Sequence, residues 1–350
     1  MPRILIAAGG TAGHVVPALA VAEALRAQGA EVAFVGGERA ERTLVPAAGY
    51  ELQTLGGVRG LDRRNPLRAA GAALKAIGAL GRSLGIVRRC RPDAILGAGG
   101  YVAGPVGVAA VLRRVPLVLA EADSHLGLTN RALARFARRV CLAFPLEGRE
   151  PPRYRVTGRP VPRPATDRAA ARERFGLGPG ETCVLVFGGS LGARSVNEAA
   201  IEAFAGSRFH VLHACGERDY AALRDRVPRS GYDLRPYIED FGEALLASDL
   251  VVARAGGSVF EIAAHGRPAV LVPYPHASAD HQASNALWMA EHGAAVVIPD
   301  AELTSARLAQ TVASLLADPS RLAAMATASA ALARPRAAAD VAAELLAAAR

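Results

Sequence analysis

The residues of this sequence best placed to do chemistry lie in glycine-rich loops. Gly9-Gly-Thr-Ala-Gly-His14, Gly97-Ala-Gly-Gly-Tyr-Val-Ala-Gly-Pro105 and Gly188-Gly-Ser-Leu-Gly-Ala-Arg194 each follow a short apolar run and lead into a stretch of helical character. Glycine lets the backbone come close to an anion, and a helix N-terminus presents free N–H groups at the positive end of its dipole. Loops of this kind suit phosphate. None is a P-loop, since no Gly-Lys-Ser/Thr follows, and the first lacks the G-x-G-x-x-G spacing and later acidic residue of a dinucleotide site. A fourth segment, Arg254-Ala-Gly-Gly-Ser-Val-Phe-Glu261, has the same setting. There Glu261 could accept hydrogen bonds from the vicinal hydroxyls of a ribose. Equally, Ser258 and Glu261 have the spacing of a helix capping box. His14 closes the first loop and is the candidate general base, because an ordinary imidazole pKa of about 6.5 suits proton abstraction near neutral pH. His210 and His213 fall along one apolar run and read as core or edge residues.

These loops need strands and helices to position them. Val-, Ile- and Leu-rich runs at Arg3–Ala8, Glu31–Gly36, Asp93–Gly97, Pro116–Ala120, Val140–Phe144 and Tyr154–Thr157 predict six strands in the first half. Runs at Thr182–Phe187, Phe209–Ala214, Asp249–Ala253, Pro268–Val272 and Ala294–Ile298 predict five in the second. Continuous apolar strands alternating with helices indicate parallel sheets covered on both faces. The expected fold is therefore α/β, with two doubly wound, Rossmann-like domains facing one another across a cleft. The proline-rich segment Thr157–Pro164 reads as the linker. The predicted domains are 1–163, 164–335 and a closing helix, 336–350, crossing back onto the first domain.

Composition narrows the function classes. The 350-residue chain is long enough for two cores, and no apolar run approaches the length of a membrane span. Cys90, Cys141, Cys183 and Cys215 show no C-x-x-C or metal-ligand spacing and read as reduced structural thiols. No Asp-x-Asp pair is present where a metal–diphosphate site would need one, so neither metal nor cofactor is expected. The net charge of +9 is unevenly placed: residues 1–165 hold 24 Lys+Arg against 11 Asp+Glu, while residues 166–350 carry an acidic excess. A basic, partly amphipathic stretch includes Arg63, Arg64, Arg68, Lys75, Arg82, Arg88, Arg89 and Arg91, with Leu67, Leu74, Ile77, Leu84 and Val87 at near-helical spacing. Such a segment suits anionic lipid headgroups, although an ordinary surface helix would show a similar pattern. Nothing supports nucleic-acid binding, which would bring a recognition motif or interleaved aromatics.

The assembled motifs resemble the bacterial MurG family, in glycosyltransferase family 28 of the GT-B fold. The resemblance runs over nearly the full length: Gly9–His14 with Pro17, Gly99-Gly-Tyr-Val-Ala-Gly-Pro105, Gly127-Leu-Thr-Asn130, Gly188–Arg194 with Asn197, Glu261-Ile-Ala-Ala264, and Asp280-His-Gln282 with Asn285. It implies transfer of N-acetylglucosamine from UDP-GlcNAc to the MurNAc 4-hydroxyl of lipid I, with inversion, on the cytoplasmic face of the cell membrane. The implied partners are UDP-GlcNAc, lipid I and the anionic inner-leaflet surface. By the same resemblance the donor would be held by Thr11, Ala12, Gly13, Asp123, Gly189, Ser190, Ile238, Gly256, Gly257, Ser258, Glu261 and Gln282. Ile238 would pack on uracil, Glu261 on the ribose hydroxyls and Gln282 on the sugar. The acceptor and its diphosphate would meet Gly10, Gly99, Gly100, Tyr101 and Asn130, with Arg159 or Arg163 as a phosphate contact. This chain departs from the family at Ala12, at Ala120-Glu-Ala-Asp123 and at Pro162. A GT-B transferase with another lipid or small-molecule acceptor, and a noncatalytic UDP-sugar-binding subunit, are the rival readings.

Overall fold

A computed structural model of the chain describes residues 1–56, 66–189, 192–228, 230–277 and 280–350, with the backbone alone for 66–76. It divides into two compact units, one of Met1–Pro162 with Arg334–Arg350 and the other of Arg163–Ala333.

The first unit is built on a parallel sheet of β1 (Arg3–Ala7), β2 (Glu31–Gly36), β3 (Glu51–Thr54), β4 (Ala94–Gly97), β5 (Leu117–Glu121), β6 (Arg139–Leu142) and β7 (Tyr154–Val156). The strand order is β3-β2-β1-β4-β5-β6-β7. In β1, Ile4 and Ile6 enter the core on one face while Leu5 and Ala7 enter the core on the other. That double burial is why the strand is apolar without alternation. Helix α1 (Ala12–Ala27) lends Val15, Val21 and Leu25 to the first face, and α4 (Gly100–Leu112) lends Val102, Val106 and Ala109 to the second. Helix α2 (Ala40–Ala47) follows β2, and α3 (Pro66–Cys90) precedes β4.

In the second unit β8 (Cys183–Phe187), β9 (His210–Ala214), β10 (Tyr232–Arg235), β11 (Leu250–Ala253), β12 (Ala269–Leu271) and β13 (Ala295–Val297) form another parallel sheet. Its order is β10-β9-β8-β11-β12-β13. Both sheets start in the middle, run outward to one edge, then return to the other side of the starting strand. The loops after β1 and β4, and those after β8 and β11, therefore sit at the two topological switch points, where open α/β sheets hold ligands.

Two strands, β3 and β10, lie outside the sequence prediction. Both are edge strands, and their sequences, Glu51-Leu-Gln-Thr54 and Tyr232-Asp-Leu-Arg235, are half polar. In β10 only Tyr232 and Leu234 pack on the core, while Arg235 donates to Asp233 at 2.6 Å on the other face. Charged side chains on an edge guard against pairing with another chain, and they erase the apolar signal used to find strands.

Helix α14 (Ala337–Ala348) belongs to the first unit. Val341, Ala342 and Leu345 complete the core against α1, and buried Glu344 pairs with Arg139 at 2.9 Å and Arg155 at 2.5 Å. Among the described residues no helix is long and apolar enough to cross a membrane. Truncating a fully buried leucine costs about 2–5 kcal/mol, so Leu345→Ala should lower the urea midpoint by a corresponding amount. A loss below about 1 kcal/mol would show that α14 is not part of this core.

Candidate active site

In the first unit the loops after β1 and β4 interlock. A Cβ on Gly100 would lie 1.9 Å from the Gly9 carbonyl oxygen, and one on Gly99 would lie 2.6 Å from Cδ2 of His14. Only glycine permits both approaches, and both residues also hold positive φ. His14 thus rests against the second loop, with Nδ1 3.4 Å from Thr11 Oγ1. Burial, followed by the nearby Arg159 charge, lowers the His14 pKa, while Asp123 and Glu41 pull it upward; the net direction is down. The ring is therefore neutral at neutral pH, which is the form a general base requires.

Glu41, in the first turn of α2, holds this arrangement from behind. It is fully buried and accepts Gly10 N–H at 2.9 Å, Gly37 N–H at 2.7 Å and the Tyr101 hydroxyl at 3.1 Å. Burial alone would raise its pKa, but these hydrogen bonds together outweigh it and hold the carboxyl below its ordinary value. Burial and the Glu41 charge push the Tyr101 hydroxyl up, so it stays protonated and donates. The Gly10 N–H points inward to Glu41.

The loop after β5 has a similar organiser. Glu121 accepts from Asp123 N–H at 3.2 Å, Gly127 N–H at 2.9 Å and Asn130 Nδ2 at 2.9 Å, and the same Asn130 amide reaches the Ala120 carbonyl at 3.1 Å. Asp123 is thereby set within electrostatic reach of His14. Asn130 is buried with its donor side committed, and its Oδ1 is buried with no hydrogen-bond partner among the described residues. Arg159, also buried, donates to the Gly13 carbonyl at 2.5 Å in the first turn of α1. Thr11, Ala12 and Gly13 lie between these groups. Arg163 is exposed on the segment that opens the second unit.

In the second unit the loop after β8 is shaped by a close approach: a Cβ on Gly192 would lie 2.2 Å from the Cys215 carbonyl. That carbonyl accepts Asn197 Nδ2 at 2.8 Å, while Asn197 Oδ1 accepts from His213 Nε2 at 3.0 Å and Tyr232 donates to His213 Nδ1 at 2.8 Å. The chain of bonds fixes the tautomer, and burial pushes the His213 pKa down to about 3. Chain neighbours apart, no atom among the described residues lies within 4 Å of where a Cβ on Gly189 or Gly256 would stand. Ser190 lies outside the described residues.

Arg254, after β11, ties the remaining loops together. It donates to the carbonyls of Val272 and Pro273 at 3.1 and 3.2 Å, to Asp300 at 2.6 Å and to Ser195 Oγ at 2.7 Å. Asn285 Nδ2 holds the Ala255 carbonyl at 3.0 Å just before Gly256 and Gly257, and Gln282 Oε1 accepts from Tyr274 N–H at 3.0 Å. Ser258 makes no side-chain capping bond to α10 (Val259–Ala264). Ile238 is buried after β10, beside the exposed Tyr237, whose hydroxyl pKa is raised by burial and then by the charge of Glu261. Gly189, Ile238, Gly256, Gly257, Ser258, Glu261 and Gln282 thus gather at the C-terminal ends of β8, β10, β11 and β12. Glu41 is absent from the sequence-derived site, and Arg254 appears there only as the opening residue of the fourth segment, with no role. The Gly36-Gly37 pair just before α2 was the available signal for Glu41, since glycine there admits a side chain against the backbone.

Two Rossmann-like sheets, each with glycine loops over its switch point, make this a GT-B fold. Residues 4–142 match the glycosyltransferase family 28 N-terminal domain and residues 183–341 the C-terminal domain. The chain is 44% identical, over 95% of its length and 95% of the relative's, to the UDP-N-acetylglucosamine--N-acetylmuramyl-(pentapeptide) pyrophosphoryl-undecaprenol N-acetylglucosamine transferase of Moorella thermoacetica. It is 46% identical to the enzyme of the same name from Alkalilimnicola ehrlichii, with 97% of both chains covered. The crystal structure of Acinetobacter baumannii MurG superposes with a TM-score of 0.78 at 31% identity, covering 99% of this chain and 100% of that one. The chain belongs to the MurG family of glycosyltransferase family 28.

The state of His213 has a measurable consequence. A histidine held neutral in the fold contributes fully above its unfolded pKa, and that contribution is lost as pH falls toward the folded value. Stability should fall by up to about 1.4 kcal/mol per pH unit below about 6.5. Urea titrations at successive pH values would measure the loss, and NMR would show whether the His213 ring stays neutral throughout. A His213 ring that titrates near its ordinary pKa would contradict the assigned network.

Proposed function

We propose that this protein moves N-acetylglucosamine from UDP-GlcNAc to the MurNAc 4-hydroxyl of undecaprenyl-pyrophosphoryl-MurNAc-pentapeptide, lipid I, giving lipid II and UDP in peptidoglycan synthesis. The observation that carries this reading is the near full-length identity to transferases of that name, over a fold whose two switch points both carry glycine loops. In this reading the second unit holds the donor. The backbone at Gly189 and Gly256, clear of other described residues, suits the diphosphate, and Glu261 the ribose. The first unit supplies the base. With Nδ1–H turned to the Thr11 hydroxyl, Nε2 of His14 carries the lone pair that takes the proton from the attacking 4-hydroxyl. The new bond from that oxygen to C1 forms as the bond from C1 to the diphosphate oxygen breaks, inverting the anomeric centre. Charge developing on UDP is met by N–H groups of the loops after β8 and β11, and no step calls for a metal.

A general base contributes about 10²–10⁴-fold to rate. Label from UDP-GlcNAc should therefore pass into a lipid I analogue with wild-type protein, with EDTA making no difference, and the rate should fall by at least about 100-fold in His14→Ala. Donor binding without transfer to lipid I would sink the acceptor assignment, and an active His14→Ala would sink the base.

A lipid-borne acceptor implies a reaction at a membrane surface, and exposed groups on the first unit support that reading. Ile77, Leu112 and Phe136 are exposed, and exposed Arg113, Arg114, Arg135 and Arg138 adjoin the last two in sequence. Arg63 and Arg64, and the side chains of Arg68 and Lys75, lie outside the described residues. The protein should float with anionic liposomes at low salt and be released at high salt, since screening weakens such contacts. Failure to float at low salt would remove this part of the reading.

A further inference from the structure

We propose that Glu41 is a positioning residue for the transfer reaction, locking Gly10, Gly37 and Tyr101 into one block and holding a negative charge within electrostatic reach of the His14 base. The inference rests on His14 being that base. Glu41 is fully buried, and its hydrogen bonds among the described residues come from neutral donors, Gly10, Gly37 and Tyr101. A buried carboxylate without a cation is costly, and an apolar side chain of similar volume would fill the same space without that cost. The chain instead clears room for the charge. A Cβ on Gly36 would lie 2.6 Å from Glu41 Cγ, one on Gly9 3.1 Å from Glu41 Oε1, and one on Gly37 1.8 Å from the Tyr101 hydroxyl that Glu41 holds. Three glycines from two loops thus serve one side chain.

The same carboxylate reaches both halves of the interlocked loops. Through Gly10 N–H it fixes the loop that carries His14, and through Tyr101 it fixes the loop on which the His14 ring rests. The charged groups facing His14 are Arg159 from the segment after β7, Asp123 from the loop after β5, and Glu41 from α2. When the ring takes a proton, the imidazolium finds two carboxylates opposing one guanidinium. A leucine in place of Glu41 could pack, but it could not supply that field or hold Gly10.

The test compares wild type with Glu41→Gln, following label transfer to a lipid I analogue across pH and the His14 ring by NMR. Glutamine keeps the volume, loses the charge and can no longer accept from both Gly10 and Gly37. The expected result is a kcat lowered about 10–100-fold with KM for UDP-GlcNAc within about threefold. The acid limb of kcat/KM and the His14 titration should both move to lower pH. A fall in kcat that only matches the loss of folded protein, or an unchanged kcat, with limb and titration unmoved, overturns the proposal. Failure of the underlying reading shows separately, in wild type, as an acid limb that does not follow the His14 titration. Should Glu41→Gln not fold, Tyr101→Phe tests the same link. A kcat several-fold lower at unchanged KM supports the proposal, and a wild-type kcat overturns it.

Discussion

Between β1 and β4 two backbones come closer than any side chain would allow, with Gly100 packed on the Gly9 carbonyl. The strand order sets this contact up, because reversal at the switch point makes these two loops neighbours. The rest of the first unit's site then follows from the space that remains. The His14 ring lies on Gly99, Tyr101 turns back to Glu41, and Glu41 holds Gly10 from beneath. A methyl group at Gly100 would separate the loops and undo all three relations together.

The two units solve one mechanical problem with opposite charges. Each must hold several loops together at the C-terminal edge of a parallel sheet. In the first, an anion gathers N–H groups: Glu41 takes those of Gly10 and Gly37, and Glu121 takes those of Asp123 and Gly127. In the second, a cation gathers carbonyls: Arg254 takes those of Val272 and Pro273. An anionic staple consumes the donors that would bind phosphate, whereas a cationic one consumes acceptors and leaves donors free. The proposed placement, with the nucleotide diphosphate on the second unit and the base on the first, draws on this difference.

The sequence made the central strands legible because double burial writes them as unbroken apolar runs, as in Ile4-Leu-Ile6 and Val184-Leu-Val186. It concealed β3 and β10, where one face is solvated. It revealed the glycine loops and His14, since glycine and histidine are conspicuous after a strand. Glu41, Glu121 and Arg254 were harder to see as organisers because a charged residue near a helix or strand end usually faces water. Glu41 and Arg254 depend on partners 31, 60 or 46 positions away, Gly10, Tyr101 and Asp300, and no local pattern encodes those distances. The Glu121 partners are only 2, 6 and 9 positions on, but irregular loop spacing carries no sequence signature. The Ser258–Glu261 spacing had two readings, and the absence of a Ser258 cap removes part of the structural one.

The return of α14 to the first unit also bears on the order in which the chain can fold during synthesis. The second unit is continuous in sequence and holds its own core once residue 333 has emerged from the ribosome. The first unit, although made earlier, lacks Val341, Ala342 and Leu345 until α14 appears, and Arg139 and Arg155 wait that long for Glu344. The apolar face of α1 that α14 covers therefore stays open while the whole second unit is being made. This chain finishes its beginning last, and that face is where a nascent-chain chaperone would find its longest-lived target.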